Sequence, residues 1–262
     1  MTRPASIFRA TAGIVAGGLL LAAAPPIAST EMATDTSADN SGANADTQAP
    51  GPAILSIAPL RIEIEGGEAG ATVRLTNSSN RPLPVQSRLF AWTQDNGDDV
   101  YVPSNELTVS PSITSIPSGQ TQVVRILRKG PASPGEKRFR LAVDQLPDPA
   151  LARPGQALTR IRFTLPVFVD REKAAPASFA WRIAKDRLEL INSGGLTARV
   201  VDLQVKAGDG RVVAVERNAL RYVLGNSTIA WPIGNGCALG PVRVTAQIDG
   251  QAVDGLAASA CG

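Results

Sequence analysis

Residues 139–145 read FRLAVDQ and residues 159–169 read TRIRFTLPVFV. In the first stretch Phe139, Leu141 and Val143 alternate with Arg140, Ala142 and Asp144. That period of two sends successive side chains to opposite faces of a strand. The second stretch is the longest of its kind, rich in branched and aromatic side chains. Working back toward the N-terminus, residues 54–57 and 60–64 form two short runs that end at Gly66-Gly67. Residues 71–77 alternate around Val73 and Leu75, and residues 84–92 and 123–127 add two further runs. Gly, Pro, Asn and Asp punctuate them all, and no stretch offers a helical stripe of useful length. Many short strands with evenly spaced turns predict an all-β sandwich.

A shift in composition follows. Residues 170–176 read DREKAAP, a charged, small-residue stretch with a proline that is read as a linker. A second β series covers residues 179–183, 188–192, 198–206, 212–215, 220–224 and 242–248. It predicts a second, smaller sandwich whose core holds Trp181 and Trp231. The expected organisation is a first domain over 53–170 and a second over 176–262.

The N-terminus reads as a targeting segment. Arg3 and Arg9 precede the apolar run TAGIVAGGLLLAAA at residues 11–24, the pattern of a secretory signal peptide. Residues 1–29 are assigned to it. The run is too short and too rich in Gly and Ala to span a bilayer comfortably, so no stable membrane insertion of the mature protein is expected. Residues 30–52 are small and polar, and are expected to form a disordered segment. In an exported chain the two cysteines present, Cys237 and Cys261, are expected to pair as a disulfide.

Composition narrows the function. The chain has no histidine, which removes Ser-His and Cys-His nucleophile pairs and nearly every ordinary zinc or copper site. No metal site and no catalytic residue is assigned, and the chain is not expected to be an enzyme. A net charge of +3, without a dense basic run interleaved with aromatics, gives no footprint for nucleic acid. Gly234-Asn235-Gly236 reads as a turn between strands. Asn77-Ser78-Ser79 and Asn226-Ser227-Thr228 fit a glycosylation sequon but are read as turns in an exported chain of bacterial character.

The order and spacing of several fragments give the first sandwich a family likeness. Pro59-Leu60-Arg61 is followed by the Gly66-Gly67 turn, then by Ala71-Thr72-Val73-Arg74-Leu75-Thr76-Asn77 and Pro84-Val85-Gln86-Ser87. Val109-Ser110-Pro111 and Ile116-Pro117-Ser118-Gly119-Gln120-Thr121 come next, then Glu136-Lys137-Arg138-Phe139 running into Asp144-Gln145-Leu146-Pro147. Over this length the chain resembles the periplasmic chaperones of the chaperone/usher pilus pathway. Leu165-Pro166-Val167-Phe168-Val169 is similar to the archaic branch. The resemblance implies two immunoglobulin-like sandwiches set at an angle, boomerang-like, with a cleft between them. It implies a periplasmic location, pilin or fimbrial subunits and an outer-membrane usher as partners, and no cofactor. A pilin subunit is a sandwich lacking a strand; such a chaperone lends one, by backbone pairing with side chains filling alternate pockets.

The resemblance also implies roles for particular residues. Two cleft cations grip the subunit's terminal carboxylate, as Arg supplies a planar fork of donors suited to it. Arg61 matches the first and Arg162 the second, with Arg160 as the alternative. The lent strand covers residues 151–168, with Leu151, Ala157, Thr159 and Ile161 on the face opposite Arg162. Arg125 and Glu136 match an internal ion pair that helps orient the two domains. The rival reading is an exported β-sandwich adhesin or carbohydrate-binding module, which exposed aromatic clusters would favour; aromatics make up only 4% of the chain.

Overall fold

The computed structural model describes residues 54–147, 160–215 and 219–261. The signal peptide, the polar segment after it, and Leu151, Ala157 and Thr159 of the expected lent strand lie outside the described residues.

The first sandwich packs two sheets face to face. One has the order β1 (Leu55–Ala58), β3 (Gly70–Asn77), β8 (Thr121–Arg128), β6 (Leu107–Ser110). The other runs β2 (Ile62–Ile64), β10 (Arg162–Val169), β9 (Lys137–Gln145), β4 (Leu83–Asp95), β5 (Asp98–Pro103), with β7 (Ile113–Ile116) also against β4. Alternation sorts the side chains as expected. Val73, Leu75, Val124 and Ile126 face Ile64, Leu141, Val143 and Val167 across a shared core, all of them buried. The first strand changes sheets part-way. β1 pairs with β3, Leu55 opposite Asn77; then Pro59, with no N–H to give a ladder, marks the crossing, and β2 pairs in parallel with β10, Ile62 opposite Val167.

The second sandwich is built from β11 (Phe179–Ala184), β12 (Arg187–Asn192), β13 (Ala198–Lys206), β14 (Val212–Val213), β15 (Arg221–Val223), β16 (Ser227–Pro232), β17 (Val242–Ile248) and β18 (Gln251–Ser259). β18 pairs with β17 along its length, and its end reaches β11 at Arg182 and Ile183. Trp181 and Trp231 pack in its core with ring centroids 5.9 Å apart. Cys237 and Cys261 are bridged, Cα atoms 5.6 Å apart, tying the end of β18 to the short turn at Gly236–Ala238.

Both sandwiches use a buried asparagine to anchor a turn. Asn77 donates to the carbonyls of Arg81 (2.8 Å) and Ile116 (2.9 Å) and accepts from Ser79. Asn192 donates to Leu196 (2.8 Å) and Leu224 (3.1 Å) and accepts from Gly194. The first sequon is therefore occupied by fold-holding bonds, and Asn226 of the second sits at a positive-φ turn position.

Two expectations need adjustment. Among the described residues the longest strand is β4, which carries on past Trp92 to Asp95, and the last long run is strand from Arg162. Residues 170–173 are not a free spacer. Asp170 is buried and bonded to Arg128 and to the Ser133 N–H, and Arg171 leads a short 3-10 turn whose side chain is tied on both sides.

Candidate functional site

Between the sandwiches lies a cleft of about 750 Å³ whose walls include Leu60, Arg61, Arg140, Phe163, Pro166, Arg171, Arg199, Leu220, Tyr222 and Asp249. Its position follows from the sheet change of the first strand. Crossing at Pro59–Arg61 leaves Leu60 and Arg61 outside both ladders and beside the lower half of β10. Leu60 is 70% exposed and Leu220, on the facing sandwich, is 51% exposed.

The cleft is strongly cationic, and its arginines differ in how fully they are engaged. Arg61 reaches Glu63, two residues on and so on the same face, at 2.6 Å, and its guanidinium lies 4.8 Å from the Phe168 ring centre. Arg171 stands at the same distance from the same ring and also approaches Glu63 at 3.6 Å. Arg140 is stacked 3.7 Å over Trp92 and 5.2 Å from Tyr222. Its nearest acid is Asp99 at 3.9 Å, and its Nε has no partner among the described residues. Arg199 donates its backbone N–H to Asp249 at 3.0 Å; its side chain makes no ion pair or hydrogen bond among the described residues. Cations held over aromatic faces keep their charge while giving up part of their hydration, so the cleft is prepared for an anion.

The floor of the cleft joins the two sandwiches. Trp92, Phe168 and Leu224 form a small core with Tyr222 against it. Gln94 bonds the backbone at the end of β15 twice, donating to Tyr222 O at 2.8 Å and accepting from the N–H of Leu224, just past the strand, at 3.0 Å. Beside it, Glu136 is fully buried. It accepts from Arg138 Nε at 2.9 Å, from Arg171 Nη1, and from the Thr197 N–H at 3.0 Å and hydroxyl. Arg138 and Arg171 each spend a second donor on the facing sandwich, at Gly195 O and Thr197 O.

The ion pair expected between Arg125 and Glu136 is not formed. Arg125 alternates outward on β8, opposite Thr72 and Ser110, and stands exposed on the sheet remote from Glu136. Glu136 does bridge the domains, with Arg138 and Arg171 as its cations. Trp92, Gln94, Arg138 and Arg171 escaped the sequence reading. Arg171 lies in the charged stretch taken as a linker, and nothing local distinguishes the other three from ordinary strand residues.

Arg61 and Arg162 are not brought together. The register of Ile62 opposite Val167 puts Arg61 level with Pro166, and Arg162 lies four residues back, roughly 13 Å along the strand at about 3.3 Å per residue. Arg162 is paired with Asp144, its cross-strand neighbour, and 62% of its side chain is exposed. Arg88 holds the other oxygen of Asp144 at 2.7 Å. Burial alone would raise the Asp144 carboxyl, but the bonds and charges of Arg162 and Arg88 outweigh it and hold it below the ordinary value. These groups, with Arg160 and Ile161, line a separate hollow. Ile161 is half-buried, and its carbonyl accepts from Gln145 N at 3.0 Å, continuing the β9 pairing by one residue.

β10 has one vacant side. β9 pairs with all of it, from Arg162 to Val169, but β2 joins only at Val167, Phe168 and Val169. Among the described residues, Arg162 to Pro166 have no neighbour on that side, and the gap ends at Arg61.

An all-β chain of two immunoglobulin-like sandwiches, with a cationic cleft and an open strand edge running into it, defines the class. Residues 54–173, the first sandwich, match the family model of the pili and flagellar-assembly chaperone, PapD N-terminal domain. No curated protein matches the sequence. Solved chaperones share the fold over both sandwiches. CsuC, from a chaperone–tip adhesion subunit pre-assembly complex of the archaic chaperone-usher Csu pili of Acinetobacter baumannii, is 23% identical with a TM-score of 0.63. The match covers 79% of this chain and 99% of that one. The Salmonella enterica SafB chaperone, solved with the SafA pilin, is 17% identical with a TM-score of 0.58, covering 79% and 98%. The E. coli chaperone DraB is 20% identical with a TM-score of 0.53, covering 79% and 97%. Among the described residues no helix is long and apolar enough to cross a membrane.

Proposed function

We propose that this chain is a periplasmic chaperone that binds pilus or fimbrial subunits, caps them by lending a strand, and passes them to an outer-membrane usher. The observation that carries this reading is the vacant edge of β10 over Arg162 to Pro166, ending beside the arginine-lined cleft. A subunit strand entering there gains backbone hydrogen bonds along the edge, and its terminal carboxylate arrives at Arg61. Such a strand needs no cofactor and no bond-making step. Leu151, Ala157, Thr159 and Ile161 are the side chains this reading offers to the subunit's open core, the first three lying outside the described residues.

The test is Arg61→Ala in the full chain, assayed against a pilin subunit co-produced with it in the periplasm. Arg61 is partly exposed and outside the core, so folding and accumulation stay near wild type. Removing one partner of a desolvated charge pair costs roughly 2–5 kcal/mol of subunit binding, so capture and fibre assembly fail. Subunit capture and delivery at wild-type level by Arg61→Ala would remove the carboxylate anchor from this reading.

A further inference from the structure

We propose that the second cation of the carboxylate site is Arg199, on the second sandwich, so that a subunit's terminus is held from both sides of the cleft. This rests on the chaperone reading above and specifies its anion site. Four arginines line the cleft, and three of them already have electrostatic work within the protein. Arg61 is bonded to Glu63. Arg171 is bonded to Glu136 and to Thr197 O across the domain junction. Arg140 is stacked on Trp92 with Asp99 nearby. Arg199 is exposed, at the start of β13, and its guanidinium has no ion pair or hydrogen bond among the described residues. Asp249 engages the Arg199 main chain, which fixes where the side chain starts without neutralising it through a salt bridge. Arg162 does not compete for the same anion, since it is bound to Asp144 and lines a different hollow.

A carboxylate has two oxygens with several lone pairs, and two arginines approaching from different directions can satisfy both. With Arg61 on one wall and Arg199 on the other, the ligand is an extended peptide terminus carrying a free carboxylate. Leu60 and Leu220, both exposed beside these cations, offer apolar surface to the side chains next to that terminus. An internal peptide segment, or an amidated terminus, lacks the charge that would hold the two arginines together.

The experiment uses the full chain and a synthetic extended peptide of alternating Val and Thr, made with a free C-terminal carboxylate and as its amide. Binding is measured by calorimetry and by the shifts of the arginine Nε–H signals in NMR. The free acid is expected to move the Arg61 and Arg199 signals, and the amide to move neither. Arg199→Ala is expected to weaken the free acid on the order of tenfold, less than Arg61→Ala because Arg199 is exposed and its pair with the carboxylate is only partly desolvated, and to leave amide binding unchanged. Arg199→Lys should recover part of the loss, and Arg125→Ala, on the remote sheet, should have no effect. If Arg61→Ala weakens the acid but Arg199→Ala does not, or if Arg162→Ala takes the effect instead, the Arg199 assignment is overturned while the chaperone reading stands. If neither Arg61 nor Arg199 responds to the free acid, both fall together.

Discussion

Replacing Glu136 by Ala should separate the two sandwiches energetically. The carboxylate is fully buried and accepts four hydrogen bonds, two from arginines of the first sandwich and two from Thr197 of the second. Truncation leaves the Thr197 N–H without an acceptor, worth about 1–3 kcal/mol for a buried donor. It also leaves Arg138 and Arg171 crowded together without the charge between them. Breaking a buried ion pair from one side typically costs about 3–5 kcal/mol in total, a large part of the roughly 5–15 kcal/mol that stabilises an ordinary protein. At about 2–4 °C per kcal/mol for a chain of this size, the loss is roughly 6–20 °C. Differential scanning calorimetry of the wild type should show strongly coupled unfolding, and Glu136→Ala a lower transition that divides in two. Glu136→Gln keeps an acceptor for Thr197 and should fall between them. A Glu136→Ala transition that stays single and within experimental error of the wild type would refute the reasoning that this carboxylate joins the domains.

Two further outcomes are expected. The Asp170 carboxyl is pushed up by burial, but the Arg128 bond, the Ser133 N–H and the charges of Arg128 and Lys173 hold it below its ordinary value. A depressed carboxyl contributes stability that is complete above its unfolded value, about 3.9, and is lost as pH falls through the folded one. The urea midpoint should drop on acidification below about pH 4, and Asp170→Asn should lower it at neutral pH and flatten that acid slope; an unchanged slope would count against the assignment. Replacing Cys237 and Cys261 by Ser should destabilise the second sandwich by about 3 kcal/mol on the chain-entropy model, and thiol counting on denatured, unreduced wild type should find none free.

The strands were legible because alternation is a local signal, and it placed both cores. Where one face is not buried the signal fails. All six residues of β5 are exposed, so Asp98–Pro103 carries no alternation to read. β18 is likewise hidden because much of it remains exposed, whereas β16 buries Ile229 and Trp231 in alternation but is only six residues long and ends at Pro232. The site was legible in part. Arg61 sits by a proline and a glycine turn, and its place in the cleft follows from chain order. Arg138 is two residues from Glu136, but its other partners, Arg171 and Thr197, come from 35 and 61 residues further along the chain, and no local pattern encodes such a distance. Arg162 was set beside Arg61 by the resemblance, whereas the register of β2 against β10 places it four residues away along the strand.

The short parallel pairing of β2 with β10 has a mechanical consequence. By occupying Val167 to Val169, β2 closes the far end of the open edge as a wall closes a slot. On the proposed chaperone reading, a subunit strand pairing along β10 would meet the backbone of Ile62 and go no further. Its end point is therefore fixed before any side chain is compared, and each of its residues falls at a determined depth. A guest longer or shorter by one residue presents its opposite face, so the wall acts as a gauge that checks length and phase together.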